Sequence, residues 1–470
     1  MAARKTRTAG FILKSNFRAT ARSVAFELLR AVEQDDAYAN LLLPKLIADA
    51  KLEPRDSALA QELAFGTIRN QLLYDRIIEQ GANRKIDEID VRGKLLLRLG
   101  AHQLLSMRVP SHAAINETVD LTKLVASQGA VGFVNGILRR VSERSLDEWR
   151  ELLISATEDR VAKLELEYSH PAWIIRSLEQ ALKVDGRGDT LEALLQIDNE
   201  APPVNLVALP GIARPEHEVG LTAGTASPIG FTLPSGDPAK LPAMRDGFIR
   251  VQDQGSQLAA LALAEAKPIA DDEQWLDMCA GPGGKAALLA AIAKLNGVKF
   301  VANELAEHRA KLVSQALRKI DESVDVFCAD GRTIGEDAPQ SFDRILLDAP
   351  CTGLGALRRR PESRWRRKPK DVSDLTKLQE QLIESAWLAL KPGGVLGYVT
   401  CSPHSGETIS IVDWLERKFV GQVSFLDATA VVHKLNPSLD LNNTRKTVQL
   451  WPHINGTDAM FIALITKSVG

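Results

Sequence analysis

The chain has 470 residues, with 58 Lys and Arg against 60 Asp and Glu and a formal net charge of −2. That length predicts two to four domains, and the near-neutral balance argues against a protein that coats nucleic acid indiscriminately, although local basic strips remain able to bind it. At 45% hydrophobic and 25% charged residues the composition is ordinary for a globular protein, and no apolar stretch has the length of a membrane span.

Residues 1–17 carry Arg4, Lys5, Arg7 and Lys14 without the apolar core and cleavage site of a secretory signal, so they read as a flexible basic tail, extended in charge by Arg18 and Arg22. Residues 18–145 read as helix throughout. Val24, Ala25, Leu28, Leu29 and Val32 recur at helical spacing, as do Val134, Ile137, Leu138 and Val141. Few aromatic or β-branched runs interrupt them, which predicts an all-α bundle. Residues 146–250 are less regular: 168–182 suits a helix after Pro171, and the stretches 201–211 and 225–240 are rich in Pro, Gly and Ser, predicting a small α+β connector.

From residue 251 the pattern changes. Short apolar runs at 274–278, 299–304, 325–330, 344–349, 395–400 and 459–466 alternate with helical segments at 284–295 and 305–320 and with the Leu375, Leu378, Leu382, Ala386 face. Apolar strands separated by helices predict a mostly parallel, Rossmann-like α/β sheet with ligands beyond the carboxyl ends of its strands.

The four cysteines, Cys279, Cys328, Cys351 and Cys401, form no C-x-x-C pair. This argues against a disulfide framework or zinc ribbon and for a reducing, cytoplasmic compartment. The eight histidines show no metal-ligand spacing, so no metal is expected. Positions 358–370 read RRRPESRWRRKPK. Basic runs are most often solvated strips, but Trp365 lies within this one. Arg358, Arg359, Arg360 and Arg364 together with Trp365 are therefore candidate contacts to single-stranded RNA, by phosphate pairing and base stacking.

The run Cys279-Ala280-Gly281-Pro282-Gly283-Gly284-Lys285 follows the first strand and opens a helix. Its glycines permit a tight turn and close backbone approach, and the helix N-terminus suits an anionic group. Neither the dinucleotide G-x-G-x-x-G nor the Walker spacing is present. The next two strands end at Glu304, placed to accept from ribose hydroxyls, and at Asp330, placed to accept from an adenine amino group. Each acid alone is equally well read as a helix cap; in this order they favour a nucleoside pocket.

The motifs DMCAGPGGK, Glu304, CADGR, LLDAPC and TCS resemble those of the RNA cytosine-5 methyltransferases, the RsmB/Sun (Fmu) family within the NOL1/NOP2/Sun group, over about 251–470. Residues 18–145 are similar to the NusB-like RNA-binding domain, above all AINETVDL (114–121) and VGFVNGILRRV (131–141). The resemblance implies a class I S-adenosylmethionine-dependent methyltransferase domain. The 279–285 loop would hold the methionine end of the cofactor, Glu304 the ribose and Asp330 the adenine, with Asp348 beside the methyl donor. It also implies a 16S ribosomal RNA substrate, and a monomer is expected.

Carbon 5 of cytosine is a poor nucleophile. Adding a thiolate to carbon 6 makes it enamine-like, a case of covalent catalysis. Cys401 and Cys351 both follow strands and are flanked by Pro and hydroxyl residues, whereas Cys328, within an apolar strand, is expected in the core. Spacing alone does not choose between Cys401 and Cys351. The resemblance makes Cys401 the nucleophile and Cys351 its helper in product release, with Asp348 polarising the ring and Lys285 orienting Asp348 or the base. A positive group is expected near the nucleophile to favour its thiolate. After TCS the family's Pro-Glu-Glu-Asn run is replaced by Pro403-His404-Ser405-Gly406-Glu407-Thr408, of which only Glu407 matches. The alternative readings are a tRNA or other rRNA substrate, a non-catalytic NusB-like RNA-binding factor, and a nicotinamide oxidoreductase, the last disfavoured by the missing dinucleotide spacing.

Overall fold

The structure, a computed structural model, describes residues 19–442 and 444–468. The basic tail 1–17 and Arg18 lie outside the described residues. The chain divides into two compact units: Met1–Arg176 with Arg359–Arg366, and Ser177–Arg358 with Arg367–Gly470. The segment expected as a separate connector is thus shared, the division falling within the helix Ala172–Val184.

The first unit is helical. Its helices include Ala21–Gln34, Ala39–Ala50, Pro54–Arg69, Gln71–Ala82, Val91–Leu105, Ser111–Val125 and Gln128–Val141. The first begins in a capping box: Thr20 Oγ1 accepts from the Ser23 amide at 3.2 Å, and Ser23 Oγ accepts from the Thr20 amide at 2.8 Å. Val24, Ala25, Leu28, Ile77, Leu96, Leu99, Val134 and Leu138 meet in one core, as their helical spacing predicts. Within it the Tyr74 hydroxyl bonds His102 Nδ1 at 2.8 Å and Ser106 Oγ at 2.6 Å, so that hydroxyl is paired on both sides.

The second unit contains two sheets. The smaller is antiparallel in the order β2-β3-β1-β4, with β1 Val204–Ala208, β2 Thr222–Ala223, β3 Gly230–Leu233 and β4 Ile249–Val251. The larger has β5 Gln274–Asp277, β6 Lys299–Asn303, β7 Asp325–Phe327, β8 Phe342–Asp348, β9 Leu390–Thr400, β10 Val423–Phe425 and β12 Phe461–Lys467 in the order β7-β6-β5-β8-β9-β12-β10. β11 Val448–Gln449 pairs with β12. Strands β5 to β9 are parallel, and β12 joins β9 antiparallel.

Successive strand residues face opposite cores. Trp275, Leu346, Val399 and Leu464 pack with the helices Gln254–Ala264 and Gly284–Leu295. Leu276, Ile345, Leu347, Tyr398 and Phe461 pack on the other face, with the helices Pro369–Ala389 and Ile409–Lys418. Near the amino end of β8, Arg344 is 2% exposed and donates to Glu273 Oε2 at 2.8 Å and to the carbonyls of Leu263, Ala264, Lys267 and Pro268. A buried guanidinium with five acceptors fixes that end of the sheet.

Cys328 departs from expectation. It is exposed, because β7 is the outermost parallel strand and its flank is not covered.

Candidate active site

The strand order reverses direction between β5 and β8, where open α/β sheets bind ligands beyond the strand ends. The loop from Cys279 to Lys285 leaves β5 there. Gly283 has φ +110°, a conformation that side chains resist. At Gly281 a Cβ would lie 2.2 Å from Glu304 Oε2, so the loop approaches β6 more closely than any other residue allows. The helix Gly284–Leu295 starts without a side-chain cap, leaving its first N–H groups to a ligand. A Cβ at Gly284 would meet nothing closer than 3.9 Å.

Asp277, the last residue of β5, is 0% exposed, and its carboxyl faces the Cys279 backbone amide with no side-chain donor beside it. Burial, followed by the charge of Asp348, pushes its pKa up to about 8. Asp277 heads the DMCAGPGGK motif, and only the folded strand shows how deeply it is buried.

Glu304 is 5% exposed and accepts from the Gly281 amide at 3.1 Å and the Ala306 amide at 3.0 Å, with Arg309 at 3.4 Å. It stops short of capping the helix Glu307–Arg318, whose N-cap residue is Ala306 and which starts without a side-chain cap, and it joins the glycine loop to the end of β6. A carboxylate offers about four lone-pair sites, so capacity remains for hydroxyl donors. Asp330 is half-buried and paired with Arg332 at 2.5 Å, which holds its carboxyl below the usual range.

Lys285 Nζ contacts Asp348 Oδ2 at 2.8 Å, joining the glycine loop to the end of β8. Burial alone would lower the Lys285 pKa, but Asp348, then Cys401 and Asp277, carry it up. The attraction acts both ways, so Lys285 is a positive group within electrostatic reach of the Cys401 sulfur.

The sulfurs of Cys351, beyond β8, and Cys401, beyond β9, lie 3.4 Å apart, and both residues are half-buried. The hydrogen bond between them, with burial, holds the Cys351 thiol well above its usual range. Cys279, behind the loop, is also pushed up by burial. Gly355 supports the pair: its amide donates to the Cys401 carbonyl at 2.9 Å, and a Cβ there would stand 2.7 Å from that oxygen. A shallow depression lined by Pro403, Ser405, Thr408, Arg445 and Gln449 includes neither cysteine.

The basic run is corrected in part. Arg364 is 1% exposed and donates to the carbonyls of Arg69 and Ser169 at 3.2 and 3.3 Å. The Trp365 indole donates to the Ile68 carbonyl at 2.9 Å and packs on the helical core. Glu362, 0% exposed, accepts from the Ala39 amide at 3.1 Å and so caps the helix Ala39–Ala50. These side chains anchor the segment within the helical unit, with Arg364 and Glu362 turned away from solvent. Arg358 is likewise buried, at 7% exposure. Arg359 is half-buried, and Arg360 is exposed with its guanidinium 5.8 Å from the Tyr38 ring. The single acid and the Trp inside the run were the signal that it has an inward face.

The sheet order, its antiparallel strand β12, the glycine loop and the acids at the strand ends define a Rossmann-like, class I methyltransferase. The family model of 16S rRNA methyltransferase RsmB/F matches residues 264–466, and that of the NusB family matches residues 19–143. A protein of Mycobacterium tuberculosis that carries a methyltransferase name is 44% identical over 95% of this chain and 96% of its own. Ribosomal RNA small subunit methyltransferase B of an Enterobacter strain is 32% identical over 83% of this chain and 87% of its own. Among solved structures, NSun6 from Pyrococcus horikoshii with SFG has the same fold at TM-score 0.51 and 18% identity, over 63% of this chain and 98% of that one. The chain belongs to the RsmB/F family of S-adenosylmethionine-dependent RNA methyltransferases, with an N-terminal NusB domain.

Proposed function

We propose that this chain methylates carbon 5 of a cytosine in small-subunit ribosomal RNA through a covalent Cys401 adduct. The observation that carries the reading is the 3.4 Å sulfur pair beyond β8 and β9, with the Lys285–Asp348 ion pair in electrostatic reach of Cys401. The choice of RNA follows the names of the relatives.

The site suits S-adenosylmethionine by its donor set: an uncapped helix start for the carboxylate, the buried carboxyl of Asp277 beside the loop, Glu304 for ribose hydroxyls and Asp330 for the adenine amino group. When bound, the cofactor supplies a methyl carbon on a sulfonium. The remaining steps belong to the chain. The Lys285 ammonium favours a thiolate on Cys401 while Cys351 keeps its proton. The thiolate adds to carbon 6, and Asp348 supports the protonated N3 edge of the ring. After methylation carbon 5 loses its proton to a base, the ring double bond re-forms, and the Cys401 sulfur departs with the bonding electrons. The Cys351 thiol donates a hydrogen bond to the departing sulfur.

Among the described residues no helix is long and apolar enough to cross a membrane and no His, Cys, Asp or Glu group could hold a metal. Four free thiols suit a reducing cytoplasm. The test is tritium transfer from labelled S-adenosylmethionine to unmodified 16S rRNA, with nucleoside analysis of the product. Transfer to 5-methylcytosine that vanishes in Cys401→Ala, with cofactor affinity retained, is the expected result. Full transfer by Cys401→Ala refutes the adduct, and transfer confined to tRNA refutes the substrate.

A further inference from the structure

Glu407 is 0% exposed, yet it lies in a short turn six residues beyond Cys401. Its Oε1 accepts from the Thr352 amide at 2.7 Å and from Gln379 Nε2 at 3.4 Å. Its Oε2 accepts from the Thr352 hydroxyl at 2.5 Å and from the Ser402 hydroxyl at 2.6 Å. Thr352 directly follows Cys351, and Ser402 directly follows Cys401. The two hydroxyls also lie 3.1 Å apart, closing a ring of polar groups around one carboxylate. The turn itself is fixed, because the Glu407 carbonyl accepts from the fully buried Tyr398 hydroxyl at 2.8 Å. Gln379 also donates to the Pro350 carbonyl at 2.8 Å, tying the same loop from its other side.

We propose that Glu407 is a positioning residue whose carboxylate ties the Cys351 loop to the Cys401 loop and so sets the separation of the two sulfurs. The inference rests on the reading that these cysteines are the working pair. A carboxylate, with several lone pairs on two oxygens, accepts an amide on one oxygen and two hydroxyls on the other without any group having to turn. An apolar replacement would leave the Thr352 amide buried and unsatisfied. Both oxygens already face donors and neither reaches solvent, so Glu407 is not placed to take a proton from RNA. Hydrogen bonding, not chemistry, is its task.

The experiment separates a tether from a charge. Diamide oxidises two neighbouring thiols to a disulfide, its N=N bond taking up the two protons and two electrons, and mass spectrometry of the linked Cys351–Cys401 peptide reads the rate without RNA. Methyl transfer is measured in parallel, together with adduct trapping on RNA containing 5-fluorocytidine, whose carbon 5 has no proton to lose. Glu407→Ala is expected to slow the linkage at least fivefold and to lower kcat by about 10- to 100-fold, the scale of losing one or two charge-assisted hydrogen bonds, with cofactor Kd within twofold. Glu407→Gln, which keeps one carbonyl oxygen and lets the hydroxyls turn to accept from its amide, is expected to recover both rates to within a few-fold of the parent.

Linkage at the parent rate in Glu407→Ala overturns the proposal. So does a Glu407→Gln variant that links normally but is as slow in methyl transfer as Glu407→Ala, since that assigns the role to the negative charge. If Glu407→Ala does not melt cooperatively, Ser402→Ala, which removes one donor, is read by the same two rates. Absence of any trapped adduct with the unaltered protein sinks the reaction assigned above, while the linkage rates still decide for or against the tether.

Discussion

Lys285 Nζ and Asp348 Oδ2 are 2.8 Å apart, and this contact joins the glycine loop to the strand end next to the cysteines. Replacing Lys285 by Met should therefore affect two functions. It removes the cation that, in the proposed reaction, favours the Cys401 thiolate, and it releases Asp348 from its ion pair. We expect kcat for methyl transfer to fall by at least about 100-fold, within the range for loss of a positioned electrostatic group, and the pH–rate profile to shift upward. A variant with the parent's profile would show that the ammonium does not act on the sulfur.

Cys351→Ala should behave differently from Cys401→Ala. The hydrogen bond to the departing sulfur is lost, so the protein–RNA adduct should accumulate and survive denaturing electrophoresis. If Cys401→Ala accumulates the adduct and Cys351→Ala does not, the two roles are exchanged.

Asp277 predicts a pH dependence of stability. An aspartate in an unfolded chain titrates at ~3.9, whereas burial pushes Asp277 up to about 8. Between those values the folded protein holds a proton that the unfolded chain has released. Stability from this group therefore decreases as pH rises through that window and levels off above about 8. Asp277→Asn should flatten the decline: the fall in Tm between pH 5 and pH 8, measured without cofactor, should be smaller than in the parent. Parallel curves would contradict this.

Arg344 governs the opposite end of the same sheet. Arg344→Ala takes the guanidinium from four carbonyls and from the Glu273 carboxylate, which keeps only the neutral Trp275 indole and Ala270 amide donors. A loss of about 3–5 kcal/mol is expected from urea unfolding, the usual penalty for breaking a buried pair on one side. A loss under about 1 kcal/mol would mean that water replaces the guanidinium there.

The basic run gives a paired prediction. Arg360→Ala should reduce the slope of log affinity against log salt by roughly 0.7, the value for one contact to single-stranded RNA, without changing Tm. Arg364→Ala should lower the Tm of the helical unit and leave that slope intact. Reversed outcomes would restore Arg364 to the RNA surface.

The six apolar runs between 274 and 466 all became strands of one sheet, because alternating cores on its two faces impose a pattern visible in the residues. Both cysteines beyond β8 and β9 and the glycine loop were legible for a related reason: parallel α/β topology brings consecutive strand ends to one edge. What was not legible depended on depth and distance. Glu407 reads as a polar residue in a turn, and nothing local says that donors from residues 352 and 379 converge on it. Cys328 reads as core because its strand is apolar, but strand order, which single-chain periodicity does not encode, put it at the margin. Arg364 and Trp365 read as solvent-facing because charge runs usually are. Their partners lie near residues 68, 69 and 169.

The eight residues Arg359–Arg366 fold with the helical unit although catalytic chain flanks them on both sides. The polypeptide therefore passes between its two bodies at three places, after 176, 358 and 366. A protease cut or gene fusion at any single place cannot part them cleanly. A fragment beginning at Ser177 would carry Glu362 and Arg364 as charged side chains deprived of their receptors, just downstream of Cys351. The helical half is thus built into the enzyme's chain path, and losing it should disturb the catalytic half from within.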